Sequence, residues 1–295
     1  MNSTAPDEFD ALEARLRTLL PEVYRDRYEE VQPVSMGSAG LKFAPDGRVA
    51  WDEIWGSFCD LAMAGGPPHR GTLLTSGSPE EIAAQPERYN EVVAELCRGV
   101  ALVTGLHAEP AAPGWVRMYC TSAGMAGWLA RALVMENISA RFKGLTLDLP
   151  AGPAYGLEKE IKNVVTATAK TTHYWLGHMS DEQHDAIASL FRVMERESPL
   201  IQPEPAAMDP ELAKAIEDST GLLATSHGAG WLSLECGDIR AAVWMMRMLV
   251  ASNVLARREG TAVYAPISEG LARNVVRAHR LAVARGILPA RVNAT

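Results

Sequence analysis

Asn163, Thr166, Lys170 and His173 recur at helical spacing and would share one stripe of a helix. Two of them suit proton chemistry. A lysine can serve as a cation, a Schiff-base former or a proton donor, and an imidazole titrates near neutral pH. Lys170 and His173 are therefore candidate catalytic residues, and Asn163 a candidate substrate contact. Ile161, Val164, Val165 and Thr168 line another side of the same stretch, so a solvated polar face over a buried one is the ordinary alternative. His173 and His178 stand five residues apart, off the i, i+4 spacing of a helical zinc pair, which argues against a metal site made of those two alone.

The run Gly65-Gly66-Pro67-Pro68-His69-Arg70-Gly71 is a second candidate. Its glycines permit close backbone approach, its prolines stiffen the loop, and His69 with Arg70 could bind a carboxylate or phosphate. Cys120 and Cys236 each end a short strand-like run just before a helix start. Helix-terminal amides lower a thiol's pKa there, which would make Cys120 a candidate catalytic thiolate. If the two cysteines converged with a histidine they would suit zinc or another soft or borderline metal ion. A buried cysteine under a helix is the competing reading. Arg131 and Arg247 sit in runs otherwise nearly free of charge, so each needs a carboxylate, a carbonyl or a bound anion. Glu136 is a partner within reach of Arg131, and an anionic substrate is the alternative. Arg141 and Arg257 add two more guanidiniums. The small-residue run 226–230, containing His227, reads as a turn. No phosphate-binding GxxxxGK[ST], GxSxG, HExxH or paired CxxC signature occurs.

The elements that must carry these residues are set by an internal similarity. Residues 114–150 laid over 230–266 without a gap match at 13 of 37 positions, among them Trp115/Trp231, Cys120/Cys236, Arg131/Arg247 and Asn137/Asn253. Two long copies argue for a duplicated unit, not a solenoid. Each copy reads as strand, helix, strand, with Ser122 or Asp238 as N-cap and Asn137 or Asn253 at the helix stop. The second strands are expected over 140–149 and 255–265, parallel to the first across a right-handed crossover, adjacent or as a split βαβ unit. Lys170 and His173 align with Leu281 and Ala284 in the second copy, so only the first carries that polar stripe.

The expected fold class is α/β, with α+β as the alternative: two pseudo-twofold-related βαβ-type repeats over 88–200 and 204–295, behind a helical extension over 1–87. Helices are expected over 8–20, 51–63 and from Ser180, a capping box, to about Glu197. The proline-rich stretch 198–210 reads as a linker.

The chain has 295 residues, is 47% hydrophobic, and carries a net charge of −8, which disfavours nucleic-acid binding over its whole surface. Residues 240–295 carry nine arginines against two acids and could pair within the molecule or dock on an acidic partner. No apolar run is long enough to span a membrane. The acidic residues 7–10 do not suit an export signal, so the cytoplasm is the expected location. The apolar helices suggest a homodimer. These readings favour an enzyme of small-molecule or cofactor metabolism that binds an anionic substrate at the junction of the duplicated units. The rivals are a non-catalytic metal- or cofactor-binding accessory protein using the paired cysteines, and an assembly subunit docking through its arginine-rich half.

Overall fold

The computed structural model describes residues 5–26, 40–54, 60–204, 210–228 and 230–289. Its helices are α1 (Ala5–Leu19), α2 (Glu22–Arg25), α3 (Pro79–Ala84), α4 (Pro86–Thr104), α5 (Ala123–Met135), α6 (Lys162–His178), α7 (Asp181–Glu197), α8 (Pro210–Thr220), α9 (Ile239–Ala251) and α10 (Leu271–Ala284). Its strands are β1 (Ala108–Pro110), β2 (Trp115–Tyr119), β3 (Arg141–Lys143), β4 (Thr146–Pro150), β5 (Ala224–Ser226), β6 (Trp231–Glu235), β7 (Arg257–Glu259) and β8 (Ala262–Pro266). The fold is mixed helix and sheet. Contacts divide the chain into two compact units, Pro21–Ala188 and a second made of Met1–Leu20 with Ser189–Thr295. Residues 1–87 are thus shared between the units, 1–20 going with one and 21–87 with the other.

Each unit holds one four-stranded antiparallel sheet, ordered β1-β2-β4-β3 and β5-β6-β8-β7. The expected strand over 140–149 is in fact two strands. Gly144, at φ +57°, turns the chain between Lys143 and Thr146, which face each other across a two-residue hairpin. Gly260, at φ +56°, does the same between Glu259 and Ala262. Parallel pairing of neighbouring strands is thereby corrected. The crossover helix delivers β3 in the same direction as β2 but at the sheet edge, and β4 then returns antiparallel between them.

Helix ends follow the sequence closely. The Ser122 hydroxyl accepts the Met125 N–H at 3.0 Å, and the Asp238 carboxylate accepts the Ala241 N–H at 2.8 Å. Asn137 and Asn253 take left-handed φ values of 60° and 62°, where their short amides are tolerated. Residues 124–135 of α5 are all buried, because the helix packs on β3 and β4 at one side and on α6 at another. A helix apolar around its circumference needs such double cover.

Helix α4 fixes α6 from a further side through a close approach at Gly99. A Cβ there would lie 2.7 Å from Val165 Cγ2 and 3.1 Å from Trp51 Nε1, inside normal contact. The Trp51 indole N–H donates to Glu95 at 2.7 Å. In place of a continuous helix over 51–63, the described residues of that range form 3₁₀ turns at Trp51–Glu53 and Ala62–Ala64, the second stopped by Gly65 at φ +98°. Residues 55–59 lie outside the described residues, as do 205–209 of the expected linker and Ala229 of the 226–230 turn. No described helix is long and apolar enough to cross a membrane.

Candidate functional site

Within the unit Pro21–Ala188, the loop 61–71 and helix α6 meet at the C-terminal end of α5. The anchor is Glu136, the C-cap residue of α5, which is wholly buried. Its Oε1 accepts the Ala62 N–H at 3.0 Å, and its Oε2 accepts the His69 N–H at 2.7 Å. Lys170, also buried, places Nζ 2.7 Å from the same Oε2. One carboxylate thus ties both ends of the loop to α6. Backbone bonds reinforce it: the Arg70 N–H donates to the Glu136 carbonyl at 3.3 Å, and the Asn137 amide donates to the Arg70 carbonyl at 2.8 Å. The left-handed turn at Asn137 is what aims that amide at the loop.

The His69 ring is held against α6. Thr166 has one hydroxyl proton and gives it to the Lys162 carbonyl at 2.6 Å, which leaves its oxygen to receive Nε2–H of His69 at 2.9 Å. That pattern favours the Nε2–H tautomer. Burial, assisted by the Lys170 ammonium, pushes the His69 pKa down to about 4, with Glu136 and a hydrogen bond to Asn163 pulling the other way. The ring is therefore neutral at physiological pH. Arg70 is the loosest cation of the group, with Nη1 4.0 Å from Glu160 Oε1 and Nε 3.4 Å from the Thr72 carbonyl. Glu160 belongs to a π-helical turn, Leu157–Ile161, that opens α6, and its Oε2 accepts the Gly156 N–H at 2.9 Å. Such widened turns often accompany functional positions.

Of the residues singled out from the sequence, His69, Arg70, Asn163 and Lys170 come together, with Thr166 between them. His173 instead faces His178, Nε2 to Nε2 at 3.1 Å, near the end of α6. Arg131 donates to the carbonyl of Gly127 in its own helix at 2.8 Å and lies 5.9 Å from the Phe142 ring, while Glu136 pairs with Lys170. Arg247 is buried inside α9. Arg141 shares Asp148 with Arg117, at 3.0 and 2.8 Å, and stacks 4.2 Å from the Trp115 centroid. At the equivalent register Arg257 meets Tyr264 in place of an aspartate, lying 4.1 Å from that ring and pairing with Glu259. These contacts support structural roles for these arginines.

Cys120 belongs to one unit and Cys236 to the other. Both are buried, and burial pushes each thiol up to about 12, outweighing the acidifying effect expected at a helix start. Among the described residues no group of three or more His, Cys, Asp or Glu gathers to hold a metal ion. At neutral pH, peptide mapping after brief treatment with a thiol-alkylating reagent should leave Cys120 and Cys236 unmodified in the native protein and label both in denaturant. Rapid native labelling of Cys120 would restore its claim to be a nucleophile.

Glu136 was legible only as a partner for Arg131. Its burial and its pairing with Lys170 depend on the loop folding back from 67 residues earlier in the chain.

Comparison of the chain with known protein families, curated proteins and solved structures gives no match.

Proposed function

We propose that the protein is an enzyme of small-molecule or cofactor metabolism acting on an anionic substrate, with its acid–base site where the loop 61–71 meets α6. The observation that carries this reading is a neutral imidazole, His69, fixed beside the buried Lys170–Glu136 pair and the loosely tied Arg70. Loops held by rigid elements are the usual place for such groups.

In this reading Arg70 receives the substrate's anionic group, exchanging its long contact with Glu160 for a charge-assisted hydrogen bond. Lys170 supplies positive potential from below while remaining paired with Glu136. His69 is the proton-transfer group, and Asn163 and Thr166 set its orientation. Burial lowers the His69 pKa most, and the cations Lys170 and Arg70 lower it further. An anion bound between them offsets their field and raises that pKa toward neutrality, so substrate binding itself makes the imidazole a better base. The equivalent helix α10 has Leu281 and Ala284 where α6 has Lys170 and His173. We read the two units as copies of one ancestor, of which Pro21–Ala188 acquired the site. The shared strand order and the 13 matched positions favour that origin.

The test is a panel of small carboxylates and phosphates titrated against the native protein and Arg70→Ala, with binding followed by calorimetry. A member of the panel should bind the native protein and lose at least about tenfold in affinity in the variant, the value of one charge-assisted contact. Equal binding by both proteins would remove Arg70, and with it the anion site, from the account.

A further inference from the structure

The last turn of α6 carries a pair of groups that the acid–base site does not use. His173 and His178 bring their Nε2 atoms to 3.1 Å, with ring centroids 4.9 Å apart and the rings nearly perpendicular. The i, i+5 spacing would place them on different faces of a continuous helix. They meet at the end of the helix, where His178 is the last helical residue and Met179 is already extended at φ −127° and ψ 136°. Gly177 stands one turn on from His173, where a Cβ would lie 3.6 Å from the His173 ring, in ordinary contact.

We infer that His173 and His178 form a two-imidazole site for a first-row divalent metal ion of the copper or nickel type. Two ligands on one ion at about 2.05 Å, a normal metal–imidazole length, stand 3.1 Å apart when the angle between them is about 98°. That lies near the right angle of tetragonal geometry, which these ions favour with nitrogen donors. The rings are also braced. Tyr174 packs against both, 6.1 Å from the His173 centroid and 5.1 Å from that of His178. Its hydroxyl is 2.6 Å from that of Tyr24, which donates to Asp60 at 2.9 Å, so the brace is tied to other parts of the unit. His178 is exposed, giving an ion access from solvent. With two protein ligands the remaining positions go to water.

Binding replaces the proton lying between the two nitrogens. The ring that carried Nε2–H moves to its Nδ1–H tautomer, so both Nε2 lone pairs reach the ion without net proton release. This site is independent of the proposed acid–base reading and stands or falls separately.

Copper(II) titrated into the purified full chain at pH 7 should fill one strong site whose electron paramagnetic resonance spectrum shows coupling to two equivalent imidazole nitrogens. Nickel(II) calorimetry should give the same stoichiometry. His173→Ala and His178→Ala should each weaken nickel binding at least tenfold and reduce the copper coupling to one nitrogen. His107→Ala, which alters an exposed imidazole elsewhere, should change neither. Circular dichroism of the two variants matching the native spectrum excludes misfolding as the cause of any loss. Native affinity retained in both variants would overturn the proposal, as would a copper spectrum lacking the two-nitrogen pattern in the native protein.

Discussion

Replacing Lys170 by Met should destabilise the protein by about 3–5 kcal/mol in urea unfolding, the usual cost of leaving one member of a buried ion pair without its partner. Glu136 has no solvent access, and Lys170 is the cation 2.7 Å from its Oε2. Removing the ammonium leaves a buried carboxylate that, among the described residues, is held by the Ala62 and His69 amides. Glu136→Gln should also destabilise, because it strands the ammonium while an amide oxygen can still accept from the loop. The double variant Lys170→Met with Glu136→Gln should lose much less than the sum of the two, since no unpaired charge remains inside. That deficit, on the order of 1–3 kcal/mol, is the coupling energy of groups in direct contact. Single variants each costing under about 1 kcal/mol would mean that water reaches the pair and screens it.

The second large effect concerns acid. The His69 pKa is lowered from 6.5 in the unfolded chain to about 4 in the fold, so between these values the unfolded state binds the proton and the folded state does not. Stability is therefore complete above about pH 6.5, falls as the pH drops toward 4, and levels off below that as the folded ring also protonates. The full difference corresponds to about 3 kcal/mol. His69→Gln removes this contribution, so its stability should decline less than that of the native protein across the same window. His173 and His279 also have lowered pKa values and contribute slopes of the same sign, but they are common to both proteins and cancel in the difference. Parallel declines in the two proteins would show that His69 titrates normally.

How much of this was legible in the sequence depended on the range of the signal. As helix caps and stops, Ser122, Asp238, Asn137 and Asn253 act through hydrogen bonds or dihedral angles within a few residues of themselves, and those roles could be read directly. The hairpins after Asn137 and Asn253 were hidden because the apolar pattern runs through them. Gly144 and Gly260 were the signals, and a glycine inside a strand-like run marks a bend. The stripe Asn163, Thr166 and Lys170 was visible by spacing, and so was the loop bearing His69 and Arg70. Their meeting was not visible, because it rests on a contact between residues 97 positions apart, Thr166 and His69. Glu136 shows the same limit. As a charge beside an apolar helix it looked like a partner for Arg131, and only the packing of the loop against the helix end makes it the anchor. Spacing alone also did not show that the His173 and His178 rings meet near the end of α6.

The account rests on His69 being a neutral ring enclosed beside Lys170. The direct measurement is a nuclear magnetic resonance pH titration of ring-labelled histidines, with the His69 signal assigned through His69→Gln. The expected result is a pKa near 4 with the Nε2–H tautomer persisting through neutral pH. A midpoint near 6.5, with the two tautomers in rapid exchange, would mean that the imidazole is open to water and that the loop does not close on α6 as described.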